Sequence, residues 1–400
     1  MSNCFDCIID RRNTHSLKWT RYGKDVLPLW VADMDFQAPE PARRALRGAI
    51  DHGVFGYEML TKGLAESVAA RMDRLYRWQV SPEAVLAAPG IVAGFNAAAR
   101  AVCAAGEGVL VQPPVYHPFL QVPEHTGTVA QLAPLRQISQ EHTLRYEIDW
   151  PAFASAINSN HARTAMFLLC HPHNPTGQIY SRAELERIAE VCLRNKTVLC
   201  SDEIHSELLL GGAKHLPLAA ISPEIAQHTI TLLSPSKTFN LVGLFCGFAI
   251  IPNPELRARY RRVLEQRALH VNSLGFIAAE AAFSGECESW LAELRSYLTA
   301  NRDYVVEFVR TELGGTRVTV PSATYLAWLD CSDLIREGCI QGPPHQFFLK
   351  QAKVGLNSGA EFGPGGEHFV RLNFGCPRAT LTEALERMKA AVQPPWAKPG

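Results

Sequence analysis

Three short segments hold residue types that can do chemistry. Ser234-Pro235-Ser236-Lys237-Thr238-Phe239-Asn240 sets a lysine among small hydroxyl residues. Such a lysine can bind a phosphate by charge while the hydroxyls donate hydrogen bonds, or its amine can form an imine with an aldehyde cofactor. Ser201-Asp202-Glu203-Ile204-His205 offers a carboxylate able to pair with a cation, a protonated pyridine nitrogen included. Cys170-His171-Pro172-His173-Asn174-Pro175-Thr176-Gly177 pins Asn174 between prolines and a glycine and so presents it rigidly. Taken alone, the first is also what an exposed loop lysine looks like, and the second what a helix cap by Ser201 or Asp202 looks like. Cys170, His171 and His173 invite a metal, but two histidines separated by one proline lack ligand spacing, and no metal is expected. Cys4 and Cys7 form a C-x-x-C with no second pair at zinc spacing and no preceding strand, so neither zinc nor redox chemistry is expected there.

The elements that must position these residues follow from the hydrophobic pattern. Gly108–Gln112, Thr164–Cys170, Thr197–Ser201, Thr229–Leu233 and Gly247–Ile251 read as buried strands, and Ile91–Ala104 and Arg182–Arg194 as amphipathic helices between them. This alternation predicts an α/β fold with a mostly parallel central sheet sandwiched by helices. Ligands in such sheets sit beyond the carboxyl ends of the strands, where all three segments fall. Past residue 270 the pattern changes to long helices over Ile277–Phe283 and Glu288–Leu313. Strands near Arg317–Val320, Tyr325–Leu329 and His368–Asn373 and a closing helix Leu381–Val392 come next, which reads as a smaller α+β domain. Residues 1–37 show no helical period and are expected to form an extended arm. The division expected is an N-terminal arm over 1–45 that joins the small domain, a large cofactor-binding domain over 46–285 and a small domain over 286–400.

Composition narrows the function classes. Apolar residues at 47% and charged residues at 20% exclude a disordered or fibrous chain. Basic and acidic residues number 39 each, so no polybasic surface favours nucleic acid as a partner. No apolar run approaches the roughly 20 residues that span a bilayer, and Met1–Asp10 is not a secretory leader. A cytoplasmic protein with its eleven cysteines reduced is expected.

Asn-Pro-x-Gly, then Asp, then Ser-x-x-Lys, each after its own strand and in this order, resembles the aspartate-aminotransferase superfamily, the fold-type-I pyridoxal-phosphate enzymes. The resemblance implies Lys237 as the Schiff-base lysine, Asp202 paired with the ring nitrogen of pyridoxal 5′-phosphate, and Asn174 bonded to its phenolic oxygen. Ser234, Ser236 and the helix opened by Pro89-Gly90-Ile91-Val92 match the phosphate site, where N–H groups at Ile91 and Val92 meet the anion. Tyr116 matches the aromatic stacked on the ring and joins Lys237 and Asp202 as an expected catalytic residue. His205 is expected to contact the cofactor. Tyr57, in Phe55-Gly56-Tyr57-Glu58, matches a tyrosine that reaches the neighbouring subunit's phosphate, which implies a homodimer with shared sites.

Further segments narrow the branch. Leu27-Pro28-Leu29-Trp30-Val31-Ala32-Asp33-Met34-Asp35-Phe36, Thr324-Tyr325-Leu326-Ala327-Trp328 and Arg371-Leu372-Asn373-Phe374-Gly375-Cys376-Pro377-Arg378 look like the cystathionine β-lyase, or C–S lyase, group of the MalY/PatB type. The match runs from about residue 5 to 392. Transaminases usually carry a tyrosine where His205 stands and an arginine a few residues after the lysine, where this chain reads Asn240-Leu241-Val242-Gly243-Leu244. Arg371 matches the arginine that grips the substrate α-carboxylate, which its planar fork suits. The backbone near Val31 and Ala32 closes the other side, and Trp30, Tyr116, the arm and residues 357–362 shape the leaving-group pocket. The implied reaction is α,β-elimination from a cysteine thioether or conjugate, giving a thiol, pyruvate and ammonia. Sulfur suits this because a thiolate is far less basic than an alkoxide. Alternatives within the same motifs are an aminotransferase, a regulatory binding protein on this fold, or a C–S lyase dedicated to a sulfur-containing natural product.

Overall fold

The computed structural model describes residues 4–159 and 161–392. Its larger sheet has seven strands in the order Val85–Ala88, Gly247–Ile250, Thr229–Leu233, Val198–Asp202, Thr164–Cys170, Gly108–Val111, Val129–Leu132. Gly247–Ile250 alone runs antiparallel to its neighbours, and the rest are parallel. Strands covered on both faces must be apolar throughout rather than alternating. Thr164–Cys170 and Thr229–Leu233 satisfy this with every residue buried. The helices Ile91–Val102 and Arg182–Arg194 cover the sheet as their apolar faces require, the second opened by a reciprocal cap between Ser181 and Glu184.

A second sheet of six strands holds Asn357–Ser358, Phe369–Asn373, Leu326–Asp330, Arg317–Thr319, Thr143–Glu147 and Arg136–Ser139, in that order. Its last two strands form a hairpin that departs between two strands of the larger sheet and pairs through Val318 with Thr143. Sequence patterning gave no element there, because a hairpin whose outer strand is largely exposed carries little hydrophobic alternation. Nor did it reveal the helix Glu40–His52. The arm is less uniform than expected: it contains a short helix, Leu17–Thr20, and a two-residue strand, Leu27–Pro28, paired in parallel with Val354–Gly355. Among the described residues no helix is long and apolar enough to cross a membrane.

One buried ion pair fastens the helix Lys62–Tyr76 beneath the site. Arg71, 1% exposed, donates from Nε and Nη2 to the two carboxylate oxygens of Glu207 at 2.8 and 2.5 Å. Its third nitrogen reaches Glu288 at 2.8 Å, and the guanidinium lies 5.4 Å from the ring centre of Phe239, two residues past Lys237. Removing one member of such a pair leaves the other charge buried and alone. Arg71→Ala should therefore lower the unfolding free energy by about 3–5 kcal/mol in denaturant melts, whereas Arg71→Met combined with Glu207→Gln recovers part of that loss.

Candidate active site

Four neighbouring strands deliver one functional side chain each beyond their carboxyl ends. Gly108–Val111 leads to Tyr116, Thr164–Cys170 to Asn174, Val198–Asp202 ends in Asp202, and Thr229–Leu233 leads to Lys237. The loop geometry is set locally. Ser234 caps the short helix Pro235–Thr238, its hydroxyl accepting from Ser236 N at 3.0 Å and donating to the Cys246 carbonyl at 2.6 Å. Asn174 is held by its own N–H on Cys170 Sγ at 3.3 Å and by its carbonyl, which accepts from Tyr116 N. Gly177 closes that loop at φ 69°, and a Cβ there would run into Pro321.

These residues line one cavity of about 520 Å3, together with Trp30, Ala32, Ile91, Val92, His205, Ser234, Ser236 and Arg371. Tyr57 is the one expected site residue that the single chain does not bring there, being 106% exposed. A cleft of about 570 Å3 beside the hairpin lacks converging reactive groups, and its Arg136 and Arg145 are both paired with Glu147. His171 and His173 turn to other partners, the Leu216 carbonyl and the Thr176 hydroxyl.

Arg371 and Asn373 stand two residues apart on one strand and so share a face. Arg371 Nη2 donates to the Trp30 carbonyl at 2.8 Å and to Asn357 Oδ1 at 2.9 Å, and Nη1 donates to Asn174 Oδ1 at 3.1 Å. Its Nε is buried without a partner. Asn373 Nδ2 donates to the carbonyls of Val31 and Asp33, both at 2.7 Å. Asn240, held at φ 54° just after the lysine loop, donates to the carbonyls of Met34 and Phe36 and accepts from Met34 N. Lys237 Nζ itself donates to the Ala32 carbonyl at 2.5 Å, which also accepts from the Tyr325 hydroxyl. The backbone N–H groups of Val31 and Ala32 donate to nothing among the described residues. The anchoring by Asn240, Asn373, Asn357 and Tyr325 went unread in the sequence. The available signal was the two-residue spacing of Arg371 and Asn373 in an apolar strand.

Burial governs the charges. It pushes the Lys237 amine down to about 8, with Arg371 adding to the shift and Asp33 and Asp202 opposing it. It pushes the Asp202 carboxyl up to about 7, against the Ile204 N–H and Lys237, which favour the ionised form. Arg371 comes down to about 10 for the same reason. His205 is driven well below its ordinary value by burial, then by Lys237 and Arg371, so it stands neutral with its Nδ1 buried and unpartnered.

A doubly covered, mostly parallel sheet with this lysine, carboxylate and asparagine beyond its strand ends is a fold-type-I architecture of the pyridoxal-phosphate kind. The chain belongs to the aminotransferase class I and II family, whose model matches residues 24–388. It is 39% identical to cystathionine beta-lyase PatB of Bacillus subtilis, over 97% of this chain and 99% of that one. Among solved structures, OvoB superposes with a TM-score of 0.89 at 40% identity, covering 97% of this chain and 99% of that one. The pyridoxal-phosphate-bound C–S lyase of Staphylococcus hominis superposes with a TM-score of 0.90 at 30% identity, covering 98% of both chains.

A lysine attacks an aldehyde only as the neutral amine, and an ordinary lysine near 10.4 is almost wholly protonated at neutral pH. Lys237 becomes neutral as pH rises through about 8. The rate at which cofactor-free protein forms a borohydride-reducible adduct with pyridoxal phosphate should therefore climb about tenfold per pH unit below 8 and level off above it. Peptide mapping should place the adduct on Lys237. A rate still climbing at pH about 9.5, or an adduct on Lys196 or Lys214, would contradict this.

Proposed function

We propose that the protein is a pyridoxal-phosphate-dependent carbon–sulfur β-lyase that converts a cysteine thioether into a thiol, pyruvate and ammonia. The observation that carries this reading is the convergence in one cavity of Lys237, Asp202 and Arg371, a buried cation with no acidic partner among the described residues. The names of the relatives favour elimination over transamination, since the curated relative is a cystathionine beta-lyase and a solved neighbour a C–S lyase. The lack of an arginine from Asn240 to Cys246 agrees with the lyase branch anticipated from the sequence.

The residues present fit the cofactor. The Lys237 amine is available to its aldehyde, Asp202 to its ring nitrogen and Asn174 to its phenolic oxygen. Tyr116 offers the ring a stacking face, and His205, which is neutral, lines the same wall. The first-turn amides of the helix Ile91–Val102, at Ile91 and Val92, and the uncommitted Ser236 hydroxyl suit its phosphate. Ser234 serves that loop chiefly as a cap, because its proton is already given to Cys246. Bound there, the cofactor supplies an electron sink for the pair released when the substrate's Cα–H bond breaks. The chain's own groups do the rest. Arg371 and the free amides of Val31 and Ala32 hold the α-carboxylate, with Trp30 beside them. The Lys237 amine would take up the Cα proton, its pKa near 8 suiting a base at neutral pH. Asp202, whose carboxyl burial pushes up to about 7, would be drawn to its ionised form by the cationic ring nitrogen opposite it.

The arm spans 1–45, the large domain 46–285 and the small domain 286–400, with the hairpin 136–147 reaching from the large into the small sheet; residues 1–3, 160 and 393–400 lie outside the described residues. The working assembly is a homodimer in the cytoplasm. Val54, Phe55, Tyr57 and Met59 are 58–106% exposed on one stretch without regular structure, an apolar surface that a second copy would cover. Tyr57 then serves the partner's phosphate site.

Incubation with L-cystathionine should yield pyruvate and thiol in step, without any keto acid needed to sustain turnover; a dependence on added keto acid would make the protein a transaminase. Asp202→Asn should leave the fold intact and reduce kcat by orders of magnitude, since an amide cannot hold the ring nitrogen protonated. Arg371→Lys should chiefly raise KM, because an ammonium cannot reproduce the forked grip. Mixing inactive Tyr57→Ala chains with inactive Lys237→Ala chains should restore activity in the hybrid dimers. No recovery despite proven subunit exchange would mean that each chain completes its own site.

A further inference from the structure

Two opposite charges stand at the mouth of the active-site cavity with no partner of opposite sign. Arg21 and Glu361 both line the cavity, both are exposed, and neither makes an ion pair among the described residues. Arg21 comes from the arm, its guanidinium stacked 4.4 Å from the ring centre of Trp30. Glu361 comes from the short helical turn Gly359–Phe362, its Oε2 accepting from Asn357 Nδ2 at 2.7 Å. Each is tied to the arginine deeper in the cavity. The Trp30 carbonyl and Asn357 Oδ1 are the two acceptors of Arg371 Nη2. Tyr22, whose ring packs edge-on to Trp30 at 6.2 Å, lies within the field of both Arg21 and Glu361. His117, also on the lining, is pushed down by burial and adds no third charge.

We propose that Arg21 and Glu361 form a distal subsite for the leaving group, selecting cysteine thioethers and disulfides whose departing thiol carries its own α-amino acid group. Arg21 takes the distal carboxylate and Glu361 the distal ammonium, while Arg371 holds the α-carboxylate of the part that becomes pyruvate. The inference rests on the lyase reading and specifies its substrate class. A thioether with an uncharged tail leaves both mouth charges unanswered, so the pair discriminates without touching the reacting atoms.

The test uses the holoenzyme with four substrates. L-Cystathionine and L-cystine carry a distal zwitterion, S-(2-carboxyethyl)-L-cysteine a distal carboxylate only, and S-ethyl-L-cysteine neither. In Arg21→Met and in Glu361→Gln, the ratio of kcat/KM for L-cystathionine to that for S-ethyl-L-cysteine should fall about five- to tenfold, through KM. The same ratio for L-cystine should fall alongside it. For S-(2-carboxyethyl)-L-cysteine the ratio should fall in Arg21→Met and not in Glu361→Gln. Unchanged ratios, or equal losses on all substrates, overturn the subsite. Binding is read separately by titrating the holoenzyme with L-cystathionine and following the cofactor's visible absorbance. Wild-type-like affinity in both variants overturns the subsite even if no pyruvate forms. Failure of wild-type enzyme to release pyruvate from β-chloro-L-alanine counts against the lyase reading alone.

Discussion

The segment Trp30 to Phe36 has almost no hydrogen bonds of regular structure, and the site depends on how its carbonyls are satisfied. Buried backbone oxygens must find donors, and here side chains supply them from three directions. Arg371 and Asn373 reach it from a strand of the smaller sheet, Asn240 and Lys237 from the loop after a strand of the larger sheet, and Arg11 and Lys18 from the arm. Asp35, buried beneath, gathers Arg11, Lys18 and the Trp19 indole on one carboxylate. One irregular segment thus ties together both sheets and the reactive lysine. It also leaves the amides of Val31 and Ala32, both cavity-lining residues, without an acceptor among the described residues.

That tethering fixes the electrostatics. Lys237, Asp202 and Arg371 are charged groups withdrawn from water into one space, and desolvation moves each toward neutrality. The shifts oppose what ion pairing would do, because none of the three has a close oppositely charged partner among the described residues. A site left in this condition is completed by a ligand with a cationic ring nitrogen, an aldehyde and carboxylates. The stability given up in burying the charges is recovered when that ligand binds. Beneath the site Arg71 joins the helix Lys62–Tyr76 to Glu207, five residues past Asp202, and to Glu288.

The mouth of the cavity obeys a different rule. Arg21, Glu361 and Tyr22 are at least partly in water, where charges interact weakly and are screened by salt. In the proposed subsite their contribution is therefore discrimination rather than grip. Both come from irregular segments, the arm and the turn after Asn357, which can vary without disturbing the sheet.

What the sequence determined by itself is what local pattern and chemical type encode. The buried strands around Asn174, Asp202 and Lys237 were legible because continuous apolar runs ending in polar residues have few other uses. The order of those residues also showed that they meet at one edge of a parallel sheet. Arg371 stood out as a cation within an apolar strand. The tertiary structure alone decided the rest. Asn240, Asn373 and Asn357 are ordinary polar residues until the fold carries them against the carbonyls of residues 30–36 or the guanidinium of Arg371, over sequence separations as large as 342 residues. The hairpin Arg136–Glu147 pairs with a strand 175 residues later, Val318 opposite Thr143, and no local periodicity encodes a pairing of that range. Tyr57 shows the limit most plainly. Its motif suggested a role, but its full exposure emerges only when the chain is folded.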